Sequence, residues 1–557
     1  MEEKIRKAID EALKDAGASG VSFVVERPAE MSHGDYATNV AFAAAKQLKK
    51  KPQEFAGEMA RFLIDNLGKN IASHISVAGP GFVNITLARE AVTLAVAEAD
   101  TKGMEWGRPA NSKQQTVSRI MIEYSNPNAF KEMHIGHLVG TVIGETLSRL
   151  IENTGAKLAR DTFGGDIGPN VAKAIWGLQK KGISEPTTAQ EIGEAYTEGS
   201  NAYENDAKAK VEMDELNQVV YACTDKELME LWRKGRDVSM EEFRRIWKLL
   251  GTKFDFEFFD SDTTEIGLRV VNDGLNKNIF EKSDGAIIYN GEKKGVHTLV
   301  FVTSHNTPTY EAKDIGLAFL KEERWPSDKV IVVTGNEQTG RFKTILSALA
   351  ELAPLLAMKT EHVATGFLKL SSGKMSSREG NIVTASDFIK RVIEKASEKN
   401  EDPLVAEQVA VGAIKYMILR QAPGSDIIFD EEKSLSLKGD SGPYLQYALV
   451  RAKSVITKNL DVVRPTSDVG RTTSHTYLIE RIILHFPEVT ARAARELAPN
   501  LLVNYLTELA GEWNSFYAQE RIIGGDNEGH KLLVARAFVS TMTNGLTLLG
   551  IPTPEQM

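Results

Sequence analysis

One stretch constrains this chain more than any other. An apolar run containing Val117, Ile120, Met121 and Ile122 leads through Glu123-Tyr124-Ser125-Asn126-Pro127-Asn128 to Lys131-Glu132-Met133-His134-Ile135-Gly136-His137. The run reads as a short buried strand that stops at Pro127 and Asn128. Beyond it Leu138, Val142, Ile143, Leu147, Leu150 and Ile151 recur at helical spacing until Gly155 supplies a C-terminal stop. His134 to His137 therefore open a helix directly after a strand. Free N–H groups and the positive end of the helix dipole favour an anion there, such as a phosphate. The two imidazoles add donors, and Gly136, lacking a Cβ, leaves room for a flat base or ribose. The arrangement suits a nucleotide triphosphate, but two surface histidines or a metal pair fit the motif taken alone.

The rest of the central region supports an α/β reading. Thr162-Phe163-Gly164-Gly165-Asp166 reads as a strand end and glycine-rich turn before a helix from Val171 to Leu178, and such a turn can line a pocket. Residues 180 to about 260 are strongly charged helices with Trp232 and Trp247 as packing anchors, a helical insertion within the α/β unit. Ala286–Tyr289 and Thr298–Val302 read as strands, Tyr310 to Ala318 as the start of a helix, and Val330–Val333 as a buried parallel strand before Thr334-Gly335-Asn336-Glu337-Gln338. Strands alternating with helices imply a mainly parallel sheet covered on both faces, with ligands at the carboxyl ends of its strands. Residues 366 to 383, rich in Gly, Ser and cations, read as a hairpin-like mobile loop.

Upstream, a helix ending near Gly17 precedes a strand Val21–Val25, and His33 to Ala41 opens a helix continuing through Leu48. A helix from Pro52 to Leu67 and a strand pair, Ile75–Val77 and Phe82–Leu87, complete a small mixed α and β domain. From about residue 405 the pattern is helical almost to the end.

With 557 residues the chain has room for three or four domains. Its net charge of −9 argues against gripping nucleic acid through bulk positive charge, though not against local basic patches such as Lys49-Lys50-Lys51. The single cysteine, Cys223, excludes an internal disulfide and a cysteine-based zinc site, which points to a reducing cytoplasm. The first residues lack the apolar core of a signal peptide, and no apolar run is long enough to span a membrane.

Taken together the motifs resemble those of the class I aminoacyl-tRNA synthetases, and among them the arginyl-tRNA synthetases, over the whole chain. The stretch from Ser125 to His137 resembles the family signature, Tyr310 to Asp314 its arginine-pocket helix, and Pro443 to Arg451 the start of its anticodon-binding domain. Gly34-Asp35-Tyr36-Ala37-Thr38-Asn39 and Gly79-Pro80-Gly81-Phe82 resemble its additional N-terminal domain. The resemblance implies a Rossmann-type parallel-sheet catalytic domain at 113–435, an α+β tRNA-binding domain at 1–112 and an all-α helical-bundle domain at 436–557. It implies an arginine-tRNA ligase: arginine activated by ATP as arginyl-adenylate, then passed to the terminal 2′-OH of tRNA(Arg). Magnesium would accompany ATP, with no tightly bound protein metal, in a cytoplasmic monomer that has no membrane partner. Pyrophosphate exchange would depend on tRNA.

On the same footing His134, Gly136 and His137 would bind ATP together with Lys374, Met375 and Ser376. The catalytic set would be His134, His137, Lys374 and Lys131. The sequence departs from the family at Ser377, where the mobile loop Lys374-Met375-Ser376-Ser377-Arg378 lacks its second lysine; Lys131 or Arg378 would supply the missing charge. A guanidinium is planar and permanently charged, best held by carboxylates. The family pocket maps onto Glu123 and Asp314, with Tyr310 beside them and Asn128 and Gln338 at the α-amino and carboxylate end; Asn126 stands where the family often has a small residue. Arg451, Lys453, Trp513, Phe516 and Tyr517 are candidate RNA contacts, with Trp513 and Phe516 expected mainly to pack.

Overall fold

Glu123 ends a five-residue strand, Arg119–Glu123 (β1), whose inner positions Met121 and Ile122 are wholly buried. The computed structural model describes residues 1–109, 117–371, 383–457 and 476–557. After β1 come the helix Ile135–Asn153 (α1), strands Lys157–Gly164 (β2) and Phe256–Phe259 (β3), and the helices Asp260–Asn276 (α2) and Tyr310–Arg324 (α3). Strand Lys329–Gly335 (β4), helix Thr339–Leu352 (α4) and strand Thr360–Thr365 (β5) follow. The five strands form one sheet in the order β5-β4-β1-β2-β3, parallel at every pairing. The order reverses at β1, and the crevice beyond the carboxyl ends of β1 and β4 is where such a sheet accepts ligands.

Buried charge ties α3 to this sheet. Lys321 Nζ lies 2.6 Å from Glu123 Oε2 and 2.6 Å from Asp161 Oδ2, all three side chains being almost without solvent contact. The Asp161 contact is a charge pairing without hydrogen-bond alignment. Lys313, two turns earlier, pairs with buried Asp260 at 2.9 Å, at the start of α2.

These strands belong to one of two units into which the chain divides, Pro109–Gln446 with Ala493–Val503 and Leu546–Met557. The inserted helices are Ala189–Asn205, Ala207–Ala222 and Lys226–Leu249. Their core includes Ile192, Val220, Leu228 and Leu231 packed with Val171, Ile175 and, from the loop after β1, Phe130. Trp247 is buried and Trp232 partly so. The expected strands at 286–289 and 298–302 form, but outside the parallel sheet: Ala286–Tyr289 pairs antiparallel with Leu299–Val302 and with Glu281–Ser283. Asp284 and Gly285, both at positive φ, make the tight turn that forces antiparallel pairing. Leu368–Leu370, where the expected hairpin-like loop begins, pairs parallel with the distant Ile427–Phe429; the call on the rest of that loop, residues 372–382, lies outside the described residues.

The other unit comprises Met1–Arg108, Tyr447–Arg492 and Asn504–Gly545. Its antiparallel sheet runs Val25–Glu26, Tyr36–Thr38, Phe82–Leu87, Ala72–Ala78, over a core of Ile5, Ile9, Phe55, Leu63 and Val83. Two expectations shift here. The strand expected at 21–25 shrinks to Val25–Glu26, and the helix expected to open at His33 begins at Val40, because Tyr36–Thr38 is taken up by pairing with Phe82–Leu87. Buried Asp35 accepts from the Leu87 N–H at 2.7 Å and pairs with Arg481, while Tyr36 donates to Glu488 at 2.7 Å. Trp513 and Phe516 are core residues, Trp513 stacking on Phe538, and Arg451 lies over the Tyr517 ring at 4.0 Å. No helix among the described residues is long and apolar enough to cross a membrane.

Lys321→Ala would strand two buried carboxylates. It is expected to cost about 3–5 kcal/mol, seen as a lower urea midpoint for this unit. Lys329→Ala removes only the exposed pair with Glu361 and is expected to change stability by about 0–1 kcal/mol.

Candidate active site

The loop between β1 and α1 turns through unusual backbone. Ser125, Asn126 and Phe130 all have positive φ, a region that side chains other than glycine rarely enter. Tertiary bonds hold each in place. Ser125 Oγ accepts from Trp247 Nε1 at 2.9 Å and from Thr141 Oγ1 at 2.8 Å. The Phe130 N–H donates to Ser239 Oγ at 3.1 Å, and its ring fits a niche at Gly235, where an added Cβ would come within 2.3 Å of it. Asn126 spans the strands, donating from Nδ2 to Glu123 Oε1 at 2.7 Å and accepting from the Phe163 N–H at 3.0 Å. Asn128 Oδ1 accepts from the Gly165 N–H at 3.0 Å, so close that a Cβ on Gly165 would collide with it. The glycine-rich turn thus seats Asn128.

At the start of α1 the two histidines cap the helix with their own rings. The Gly136 N–H donates to His134 Nδ1 at 3.1 Å, and the His134 N–H donates to His137 Nδ1 at 3.3 Å. The rings stack with centroids 3.7 Å apart. With each Nδ1 serving as acceptor, the proton of each neutral ring resides on Nε2, an outward donor. Burial, reinforced by Lys131, lowers the pKa of His134; burial and the neighbouring His134 lower that of His137 well below the usual imidazole range. A Cβ on Gly136 would come within 2.9 Å of the His134 ring, so this glycine also preserves the stack. Lys131 Nζ sits 4.4 Å above the ring of Tyr196, on the inserted helix Ala189–Asn205.

The calls on Lys374, Met375, Ser376, Ser377 and Arg378 lie outside the described residues. The chain that follows them is tied to the signature: the Ala385 N–H donates to Met133 O at 2.6 Å, and His134 bridges Thr384.

Glu123 and Asp314 line one cavity, walled otherwise mainly by apolar side chains such as Leu317, Val332, Phe342 and Ile345. Both carboxylates meet cations that sequence reasoning missed. Glu123 has Lys321; Asp314 has Arg341, which donates from Nη2 to Asp314 Oδ2, from Nε to Glu311 Oε1 at 3.0 Å and from Nη1 to Gln338 Oε1 at 2.9 Å. Tyr310 opens α3 with its ring 6.0 Å from the Arg341 guanidinium. Glu123, Tyr310, Asp314 and Gln338 are thereby linked around Lys321 and Arg341. The missed signals were local: Lys321 follows Asp314 by two helical turns, and Arg341 follows Gln338 by one.

The charges do not balance. Lys321 serves Glu123 and Asp161, and Arg341 serves Glu311 and Asp314, leaving one carboxylate in excess in each group. Burial, only partly offset by Arg341 and reinforced by Glu123 and Glu311, pushes the Asp314 carboxyl up to about 7. Burial likewise raises Asp161. Burial opposes the charge on Lys321, yet Asp161 and Glu123 outweigh it and raise its pKa. Such a site is prepared for one more cation. Among the described residues no three His, Cys, Asp or Glu side chains gather as metal ligands.

The family model described as tRNA synthetases class I (R), catalytic domain, matches residues 102–431. The DALR anticodon binding domain matches 445–557 and the arginyl tRNA synthetase N terminal domain 3–87. The chain is 30% identical to an arginine–tRNA ligase of Limosilactobacillus reuteri, covering 100% of this chain and 99% of that one. It is also 30% identical to one from Treponema denticola, over 96% and 94%. Its fold superimposes on Thermus thermophilus arginyl-tRNA synthetase with a TM-score of 0.82 at 25% identity, over 100% of both chains.

The capping geometry makes the imidazoles observable. In a 15N-edited titration His134 and His137 are expected to protonate at lower pH than an ordinary histidine, and to show the Nε2–H tautomer while neutral.

Proposed function

The chain belongs to the class I arginyl-tRNA synthetases, and from that premise we propose how its residues carry out the reaction of an arginine–tRNA ligase. The carboxylate of L-arginine attacks the α-phosphate of ATP, pyrophosphate leaves, and arginyl-adenylate results. The 2′-OH of the terminal adenosine of tRNA(Arg) then takes the arginyl group and AMP leaves. Neither step requires a covalent bond to the enzyme, so catalysis is positioning and electrostatic stabilisation.

The observation that carries this reading is the carboxylate excess around Glu123 and Asp314, beside a helix N-terminus whose two histidines are neutral donors. The substrate guanidinium is held by Glu123 and Asp314, with Tyr310 alongside. Asn128 and Gln338 face the α-amino and carboxylate end. His134 and His137 donate from Nε2 to the phosphate and ribose side of ATP, while Gly136 keeps the approach open. Lys374, with Met375 and Ser376, binds ATP and meets the departing pyrophosphate. Lys131, held beside His134 by the Tyr196 ring, replaces the charge absent at Ser377. Magnesium arrives with ATP as part of the substrate.

In this reading residues 113–435 form the catalytic domain, residues 1–112 contact the tRNA body and residues 436–557 its anticodon. The matches of 3–87 and 445–557 to the two corresponding family models support that division. The enzyme works in the cytoplasm as a monomer.

Aminoacylation of total tRNA with each amino acid in turn is expected to charge with arginine alone; no arginine transfer at saturation rejects the proposal. Asp314→Ala is expected to lower arginine-dependent kcat/KM by about two orders of magnitude or more, since losing a buried charge partner costs about 2–5 kcal/mol. Only the ionised Asp314 pairs with a guanidinium, and its pKa in the empty site is about 7. The KM for arginine is therefore expected to rise as pH falls below 7, approaching about tenfold per pH unit.

A further inference from the structure

The chain's own arginine makes the contacts assigned above to the substrate. Arg341, on the first turn of α4, is bonded to Asp314, Glu311 and Gln338, and its guanidinium lies 6.0 Å from the Tyr310 ring. Asp314, Gln338 and Tyr310 are three of the five residues read as the arginine pocket. A planar fork of N–H donors against a carboxylate, beside an aromatic face, is the environment a substrate guanidinium would seek, while Gln338 is the residue read above at the α-amino and carboxylate end.

The two resident cations are not equivalent. Lys321 is enclosed and holds two strands to α3, so it cannot leave without unpairing Glu123 and Asp161. Arg341 is a quarter exposed and has a second carboxylate, Glu311, bonded through Nε at 3.0 Å. Turning its terminal Nη2 away from Asp314 leaves that second bond in place, so neither the guanidinium nor Glu311 is abandoned without a partner. Of the other carboxylates on the cavity wall, Glu322 is already paired with Lys359. Glu123 is already engaged by Lys321 and Asn126.

On the reading that Asp314 binds the substrate guanidinium, we propose that Arg341 is an internal competitor for the arginine site, holding Asp314 in the empty enzyme and releasing it to the substrate. The pocket carboxylate is then never left unpaired in a buried setting. The consequence is an affinity set by the fraction of molecules in which Asp314 is free, since the apparent dissociation constant is the intrinsic one divided by that fraction. Every ligand that needs Asp314 is weakened by at least this factor. Arg341 therefore adjusts affinity for arginine and leaves unchanged the ratio between guanidines that share its α-amino and carboxylate end.

Calorimetric titration of the full-length enzyme at pH 8.5, where Asp314 is ionised, tests this with two ligands: L-arginine, and agmatine, which has the guanidinium but no carboxylate. If Asp314 is free in about one molecule in ten, Arg341→Met tightens agmatine about tenfold and arginine by at least as much, since Gln338 is released with Asp314. Arg341→Lys keeps the charge but not the fork, and falls between Arg341→Met and the parent enzyme. Unchanged or weaker arginine binding in Arg341→Met, with Asp314→Asn also weakening arginine, overturns the competitor and leaves the pocket reading standing. Unchanged binding in Asp314→Asn overturns the pocket reading, and the competitor falls with it. Tightening of arginine without tightening of agmatine also rejects the proposal, because the competition is for the guanidinium partner.

Discussion

Lys321 is the interaction on which the candidate site depends. Its ammonium group sits between Glu123, at the end of β1, and Asp161, the residue opposite it on β2, and so fastens α3 across the two adjacent strands. Taking three charges out of water is costly, and a buried ion group of this kind contributes little net stability. Its geometric effect is large. Asp314 lies two turns upstream on the same helix, so the contact that secures Lys321 also sets where Asp314 stands relative to Glu123. The Lys313–Asp260 pair holds the same helix to α2.

The excess of carboxylates follows from the same arrangement. A hydrophobic replacement for Lys321 would pack equally well in an ordinary core, but here it would remove the only cation facing Glu123 and Asp161 among the described residues' ion pairs. Lys321 and Arg341 make a buried acidic pocket tolerable while leaving it short of positive charge. In the proposed arginine site, that shortage is what would favour a cationic ligand.

The inserted helices do more than add bulk. The loop carrying the histidine motif passes through three residues at positive φ within six positions, a conformation its own sequence would not hold. Trp247 and Ser239 come from the last inserted helix to bond Ser125 and Phe130, and Gly235 makes room for the Phe130 ring. Tyr196, from the first inserted helix, sits under Lys131. The strain is thus held from outside, and the histidines are delivered to a rigid helix start.

What could be read from the residues alone was local or periodic. The strand ending at Glu123, the helix opening at His134, the Val330–Val333 strand and the helix Pro52–Leu67 all follow from apolar spacing and breaker residues, which act within a few positions. The family resemblance rested on such short motifs and pointed to Glu123, Tyr310, Asp314 and Gln338. Less legible were Tyr36–Thr38, whose strand exists only because Phe82–Leu87 pairs with it, and the antiparallel placement of Ala286–Tyr289. Least legible were the cations. Lys321 and Glu123 are 198 positions apart, and Arg341 and Asp314 are 27 apart. An isolated lysine or arginine on a helix carries no sign of which carboxylate it will meet, because burial and long-range packing choose the partner. The sequence determined the elements and the kind of chemistry; only the tertiary structure decided how the charges are shared.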